Sequence, residues 1–169
     1  MKKIYVFLLP LFVFTIAVSV SSCTKDEEPK EVIADDNTFA NYASWSLDAQ
    51  RQGVDPSLGA AHGGNDSTTV RKIYFKDGVS RSGDEYPVGA TILKYSVNSD
   101  KSVNVRTGMV KRGNNFDPEH NDWEYFIIKP DGTIAKDADG NVLRGANLMN
   151  GACVGCHSGA ASKDYIFTK

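Results

Sequence analysis

The feature that most constrains this chain is a Cys-x-x-Cys-His motif close to its end. Cys153, Cys156 and His157 occur in a chain of 169 residues, so nearly all of the fold must be built from residues that precede the motif. This spacing serves three kinds of chemistry, which are covalent attachment of haem, zinc binding and thiol redox exchange. The choice among them depends on the compartment of the protein and on the other ligands in the chain.

The first residues have the pattern of an export signal. Two lysines precede an uncharged apolar run from Ile4 to about Val20, and small residues follow it, as in a secretory signal peptide. A membrane-spanning helix is the alternative, because the run approaches the roughly 20 residues needed to cross a bilayer. Pro10 within the run, the small residues at its end and the acidic flank beyond it favour a cleaved signal.

The apolar run ends in "VSSC", which resembles the lipobox of bacterial lipoproteins. The resemblance implies cleavage before Cys23 and acylation of its thiol and amine, which gives a stable membrane anchor; an incidental cysteine is the alternative. The sequence predicts a lipoprotein signal peptide at 1–22, a lipidated acidic tether at 23–37 and one domain at 38–169. "TKDEE" resembles the signal of lipoproteins on the outer face of the outer membrane, so we expect an outer-membrane lipoprotein facing the periplasm or the cell surface.

Export limits what the remaining cysteine pair can do. Thiols outside the cytoplasm are oxidised, so Cys153 and Cys156 form a disulfide, hold a metal or bind haem. A structural zinc site needs four ligands, and besides His157 the chain offers only His62 and His120. A thioredoxin-type pair follows the first strand of a βαβ unit, a pattern that is not seen here. Covalent haem is favoured, with Cys153 and Cys156 bound to its vinyl groups and His157 presented to the iron.

The periodicity of apolar residues predicts a helix, then strands, then a second helix. Phe39, Tyr42 and Trp45 recur at helical spacing after Asn37 or Thr38, and they predict an N-terminal helix of about three turns. Alternating apolar and polar residues predict strands in the following stretches: "VRKIYF", "ATILKYSV", "SVNVRTGMVKR" and "DWEYFIIKPDGT".

The end of the chain completes the predicted fold. Residues 146–158 predict a short helix carrying the motif, and residues 164–169 a last short strand or extended tail. The Gly-, Pro- and Ser-rich residues 53–69 predict a loop. The fold class is therefore α+β and mainly β, an antiparallel sheet with an N-terminal helix and a short C-terminal helix carrying the haem motif. A formal net charge of −2 gives no reason to expect nucleic acid as a partner.

Taken in order, these stretches resemble the cytochrome P-460 family, β-rich c-type haem proteins with a C-terminal haem motif. The resemblance covers almost the whole mature chain and implies one covalent haem c per chain and a homodimer. Known members oxidise hydroxylamine on a five-coordinate haem that is crosslinked to a lysine. The related cytochrome c′-beta proteins lack that crosslink and bind nitric oxide or carbon monoxide. The matching stretches are "SLGAAHG", "VRKIYF", "YPVGATILKYSV", "MVKRGNNFDP", "DWEYFI" and "CVGCHSGAASKDYIFT".

The resemblance also indicates site residues upstream of the motif. The crosslinking lysine falls on Lys94, which strand alternation alone would allow to be solvated. Arg71 matches a family arginine that could hydrogen-bond an iron-bound ligand, and a surface arginine is the alternative. Thr107 stands where hydroxylamine-oxidising members have a carboxylate, and a hydroxyl is a poor general base at neutral pH. Met109 is a candidate sixth ligand, although methionine on a strand more often packs in a core.

The other histidines and the aromatic residues have structural explanations. His62 and His120 lie in Gly- and Asp-rich loops, where a capping or surface position accounts for them better than ligation. Trp123, Tyr125 and Phe126 lie on the fourth predicted strand, and we expect them in the core.

Two functions remain open from the sequence. The first is an oxidoreductase acting on hydroxylamine or a similar small nitrogen species, with Lys94, Arg71 and Thr107 at the reacting site and a soluble redox partner as electron acceptor. The second is a non-catalytic haem protein of cytochrome c′-beta type that binds nitric oxide or transfers electrons. A crosslink at Lys94 favours the enzyme, whereas the hydroxyl of Thr107 favours binding.

Overall fold

The computed structural model describes residues 31–54 and 66–167, which form mainly one antiparallel sheet. Each strand pairs with the next strand in sequence, so the described part of the sheet is a meander. The strands are β1 (Ser46–Gln52), β2 (Val70–Phe75), β3 (Thr91–Val97), β4 (Val103–Lys111), β5 (Trp123–Ile128) and β6 (Arg144–Gly145). The α-helix is α1 (Ala152–His157), and 3-10 turns occur at Tyr42–Ser44, Lys76–Gly78, Pro118–His120 and Ser158–Lys163.

The predicted strands and the C-terminal helix are confirmed. Strands β2 to β5 coincide with the four alternating stretches, and α1 lies within the predicted helix at 146–158. The turn between β3 and β4 closes with a hydrogen bond of 2.9 Å from the amide of Asn98 to the carbonyl of Ser102. The mainly β class follows from these β-branched and aromatic stretches, which pack well on a pleated sheet.

The predicted N-terminal helix is wrong. Residues 36–41 form turns, Tyr42–Ser44 is one 3-10 turn, and the following residues form edge strand β1, paired with β2. Asn41 has a left-handed φ of 55°, which a right-handed helix cannot accommodate. The aromatic side chains that suggested a helix still pack against the sheet. The turn followed by a strand therefore places Phe39, Tyr42 and Trp45 in one cluster, although they do not lie on a helix.

The sheet has an apolar layer on each face, because successive side chains of a strand point to opposite sides. We call the side covered by α1 the motif face and the other side the N-terminal face. The motif face includes Ile73, Phe75, Ile92, Met109, Trp123, Tyr125, Leu148, Val154 and Ile166. The N-terminal face includes Ala34, Phe39, Tyr74, Leu93, Val110, Phe126, Ile128 and Ile134.

Gly108 in β4 lets the N-terminal segment lie close against its face of the sheet. A Cβ atom at this position would lie 2.5 Å from Cε1 and 2.6 Å from Cζ of Phe39. The Phe39 side chain is fully buried and also packs on Phe126, with ring centroids 5.2 Å apart. The missing side chain at 108 therefore makes room for the aromatic ring that fixes this segment.

A buried ion pair between Arg144 of β6 and Glu124 of β5 lies on the N-terminal face. Glu124 is 2% exposed and accepts two hydrogen bonds from Arg144, at 2.6 and 2.7 Å. Arg144 also donates to the carbonyl of Ala34 at 2.7 Å. The Glu124 carboxylate is thus satisfied on the side of the sheet away from α1, since a buried charge is tolerated only when it is paired.

Candidate functional site

The Cys-x-x-Cys-His motif forms α1. Gly151 precedes the helix with a left-handed φ of 79°, a conformation that favours glycine. Val154, between the two cysteines, is buried in the motif-face layer, while Cys153 and Cys156 are half-buried and form no disulfide. Residues three and four apart share one side of a helix, so a single turn presents both sulfur atoms and the imidazole of His157 together.

The imidazole of His157 is oriented by a backbone carbonyl. Its Nδ1 atom lies 2.6 Å from the carbonyl oxygen of Tyr165. A carbonyl can only accept, so Nδ1 donates and the neutral ring carries its lone pair on Nε2, the arrangement typical of a metal-binding histidine. The ring packs against Tyr125 and Phe167, with centroids 5.3 and 5.5 Å apart.

The surroundings of His157 also favour its neutral form. Burial lowers the pKa of the imidazole, the Tyr165 carbonyl raises it in part, and the nearby Lys94 ammonium lowers it further. The net effect is a lowered pKa. A histidine binds a metal through its neutral form, so this environment is suited to ligation.

Lys94 and Thr107 lie directly opposite each other on β3 and β4. Lys94 also pairs with Ile73 on β2, and Thr107 with Ile127 on β5. Both isoleucines pack in the motif-face layer, and cross-strand partners share a face, so Lys94 and Thr107 are on the motif face. Both side chains are half-buried, and the ammonium lies near enough to His157 to affect its pKa. The structure brings the lysine, the threonine and the motif to one side of the sheet.

Arg71 lies further along the same face and is not a surface residue. It is 4% exposed and pairs across strands with Ser96, two positions after Lys94 in β3. Its Nη2 atom donates to the carbonyl of Gly53 at 2.5 Å. Its Nε and Nη1 atoms and the Ser96 hydroxyl are buried without a hydrogen-bond partner in the part of the chain that is described. An unmet buried donor costs about 1–3 kcal/mol, so these atoms suit a group that offers acceptors.

Tyr125 carries a buried hydroxyl for which its sequence pattern predicted no role. The residue is 3% exposed, as expected for the core, but its hydroxyl is buried without a hydrogen-bond partner among residues 31–54 and 66–167. Burial raises the pKa of the phenol, and Cys153 and Asp117 raise it further, so it is a neutral donor near the cysteines. Residues two apart in a strand point to the same face, so Tyr125 shares the motif face with Trp123. This alternation along β5 is the sequence signal that could have placed the Tyr125 hydroxyl there.

The remaining candidate ligands have structural positions. Met109 is 7% exposed and packs in the motif-face layer. Nδ1 of His120 lies 3.0 Å from a carboxylate oxygen of Asp117, and its ring meets the Tyr165 ring edge-on. His62 lies outside the described residues. Within 31–54 and 66–167, no group of three or more His, Cys, Asp or Glu side chains could hold a metal ion.

These features fit a haem. The motif supplies two thiols and an imidazole from one turn, and the apolar layer supplies a surface on which a macrocycle can pack. The unpartnered donors on the same face, which belong to Arg71, Ser96 and Tyr125, match a group that offers acceptors, such as the cofactor or a ligand bound to it. A haem would be held by Cys153, Cys156 and His157.

Fold and site together define a class of protein, a mainly β domain in which one short helix presents two cysteines and a histidine to the face of an antiparallel sheet. The model of a family described as Cytochrome P460 matches residues 40–168. The chain therefore belongs to the cytochrome P460 family and is a haem protein, as the resemblance in its sequence predicted. No curated protein matches the chain.

Proposed function

We propose that the protein binds one covalent c-type haem and oxidises hydroxylamine or a similar small nitrogen species. The observation that supports covalent attachment is the placement of Cys153, Cys156 and His157 on one helical turn, with the lone pair of the histidine on Nε2. A bound haem supplies an iron centre that can take electrons from a small nitrogen compound. A soluble redox partner would accept these electrons.

The residues on the motif face supply the rest of the proposed site. Lys94, near His157, is proposed as the residue bonded to the haem macrocycle. This bond would alter the electronic properties of the macrocycle. Arg71 offers two buried nitrogen donors that can hydrogen-bond a bound oxygen or nitrogen ligand. Thr107, beside Lys94, can hydrogen-bond a ligand through its hydroxyl. A hydroxyl is a poor general base near neutral pH, so Thr107 is not suited to accept a proton from that ligand.

This property of Thr107 supports a second function. Without a base at that position, a site with the same iron ligand would bind nitric oxide or transfer electrons and would not turn over hydroxylamine. Such a protein would be of cytochrome c′-beta type. The hydroxyl of Thr107, directly opposite Lys94 in the sheet, is the observation that favours it.

The location and the partners are proposed from the sequence. The signal peptide at 1–22, the lipid-bearing Cys23 and most of the tether lie outside the described residues. No helix in the described ranges is both long enough and apolar enough to cross a membrane. We infer an outer-membrane lipoprotein, facing the periplasm or the cell surface, that contacts the membrane only through its lipid anchor. It would act as a homodimer.

The proposal is tested on full-length protein produced with a haem-maturation system. The absorption spectrum is compared with that of Lys94→Ala, and Lys72→Ala serves as a control because Lys72 is on the same sheet but points to the N-terminal face. We expect a shifted Soret band that only Lys94→Ala restores to an ordinary haem c band. An ordinary band in all three proteins would exclude the crosslink.

Turnover is measured separately, by titrating hydroxylamine in the presence of an artificial electron acceptor. The enzyme reduces the acceptor in proportion to the hydroxylamine added. A protein that forms a nitric oxide adduct but leaves the acceptor oxidised would have the second function.

A further inference from the structure

A buried carboxylate that the site described above does not include lies beyond the motif. Asp164 is 1% exposed and follows the 3-10 turn Ser158–Lys163 that continues from α1. Its two oxygens accept four hydrogen bonds from the sheet and its loops. The donors are the amide of Tyr86 at 2.7 Å, Nζ of Lys111 at 2.7 Å, Nδ2 of Asn121 at 3.1 Å and Nε1 of Trp123 at 3.0 Å.

These donors come from separate parts of the fold. Lys111 ends β4, Trp123 begins β5, and the other two donors lie in the connections before β3 and β5. Lys111 and Asp164 have side-chain exposures of 6% and 0%, so their ion pair is shielded from solvent. Hydrogen bonds to a charged group are short and strong, and this carboxylate receives enough of them to be held in one position. Asp164 therefore fixes the C-terminal segment to the rigid sheet.

The residue that Asp164 fixes in place is the one that contacts the histidine. Tyr165 follows Asp164 directly, and its carbonyl accepts the 2.6 Å hydrogen bond from Nδ1 of His157. Both residues have left-handed backbones, with φ of 54° and 62°. Side chains disfavour this conformation, so the turn persists only because its surroundings hold it. The amide of Tyr165 donates to the carbonyl of Ala160 at 3.0 Å, which completes the turn.

We propose that Asp164 is a positioning residue that sets the strength of the hydrogen bond from His157 to Tyr165, and thereby the electron-donating strength of the axial ligand. The inference rests on the proposed function in taking His157 as that ligand. A hydrogen bond weakens steeply with distance and angle. A strong one on the outer nitrogen makes an imidazole more basic towards a bound metal. Displacement of the Tyr165 carbonyl would therefore change how strongly His157 donates electrons to a bound iron, although neither Asp164 nor Tyr165 would contact the metal.

The test compares Asp164→Asn with the parent full-length holoprotein. Glu124→Gln is the matched control, because Glu124 is also a buried, ion-paired carboxylate but lies on the N-terminal face. Resonance Raman spectra of the ferrous proteins give the stretching frequency of the iron–histidine bond, and redox titration gives the reduction potential. We expect Asp164→Asn to have a lower stretching frequency and a higher potential, and Glu124→Gln to match the parent.

A milder variant keeps the test decisive if Asp164→Asn fails to fold. Asn121→Gly removes one of the four donors, and glycine accepts the left-handed φ of 54° at this position. We expect a smaller shift in the same direction. An unchanged frequency and potential in the folded variants, or an equal shift in Glu124→Gln, would overturn the positioning role alone. A parent protein that takes up no haem would overturn this inference and the proposed function together.

Discussion

Replacing Gly108 by alanine adds one methyl group where the structure has no room for it. The new Cβ atom would lie 2.5 Å from a ring atom of Phe39, far inside normal van der Waals contact. The ring is fully buried and packs against Phe126, so it can move only by disturbing the N-terminal face. Overpacking of this kind costs about 1–3 kcal/mol in the free energy of unfolding.

A double-mutant cycle isolates the clash. Phe39→Ala alone leaves a cavity and should cost about 3–5 kcal/mol. In that background Gly108→Ala should stabilise the protein by about 0.5–1 kcal/mol, because the atoms that it would strike have gone and alanine suits a strand better than glycine. Urea unfolding of the four proteins gives the interaction energy. Gly159→Ala is the control, since its Cβ would meet Phe167 at an ordinary 3.7 Å. An equal cost of Gly108→Ala in both backgrounds would refute the packing described for the N-terminal segment.

The other predictions concern the buried ion pair. Lys111→Met leaves the Asp164 carboxylate without its counter-charge and should lower the free energy of unfolding by about 3–5 kcal/mol, whereas Lys72→Met should have little effect; urea unfolding measures both. Burial raises the pKa of Asp164, but the hydrogen bonds from Lys111 and the other donors together outweigh burial and hold the pKa below its ordinary value of 3.8. The ion pair therefore makes its full contribution to the free energy of unfolding at pH values above the ordinary pKa of 3.8. It loses that contribution as the pH falls through the lower pKa of the folded state. The stability difference between the parent and Asp164→Asn should be largest at neutral pH and shrink below about pH 4; a difference that grows on acidification would contradict this.

The sequence was sufficient for the strands that alternate and for the helix that carries the motif. "VRKIYF" and "ATILKYSV" have the period of a half-buried strand and lie as predicted. The pairing of Lys94 with Thr107 could not be read from either strand alone, because register depends on how β3 and β4 meet across their turn. The resemblance indicated both residues, and the structure adds that they are neighbours.

Other features depend on contacts between distant parts of the chain. Phe39, Tyr42 and Trp45 fit a helical pattern, but Asn41 turns the backbone and β1 gains its hydrogen bonds from β2. Asp164 looks like one more aspartate near the end of a chain. Its burial becomes evident only in the folded structure, where β4 and β5 place hydrogen-bond donors around it. The residues next to Asp164 in the sequence do not predict these donors.

The central claim is that the motif residues hold a covalent haem, and one measurement tests it directly. A Lys94→Ala parent, which lacks the proposed crosslink, is made as full-length protein with a haem-maturation system, denatured and extracted with acidic acetone. Its pyridine haemochrome spectrum is recorded beside that of a variant that carries Cys153→Ala/Cys156→Ala in addition. We predict that the parent keeps its haem on the polypeptide, with the spectrum of two thioether bonds, and that the variant loses it. Haem extracted from the parent, or retained by the variant, would contradict the account.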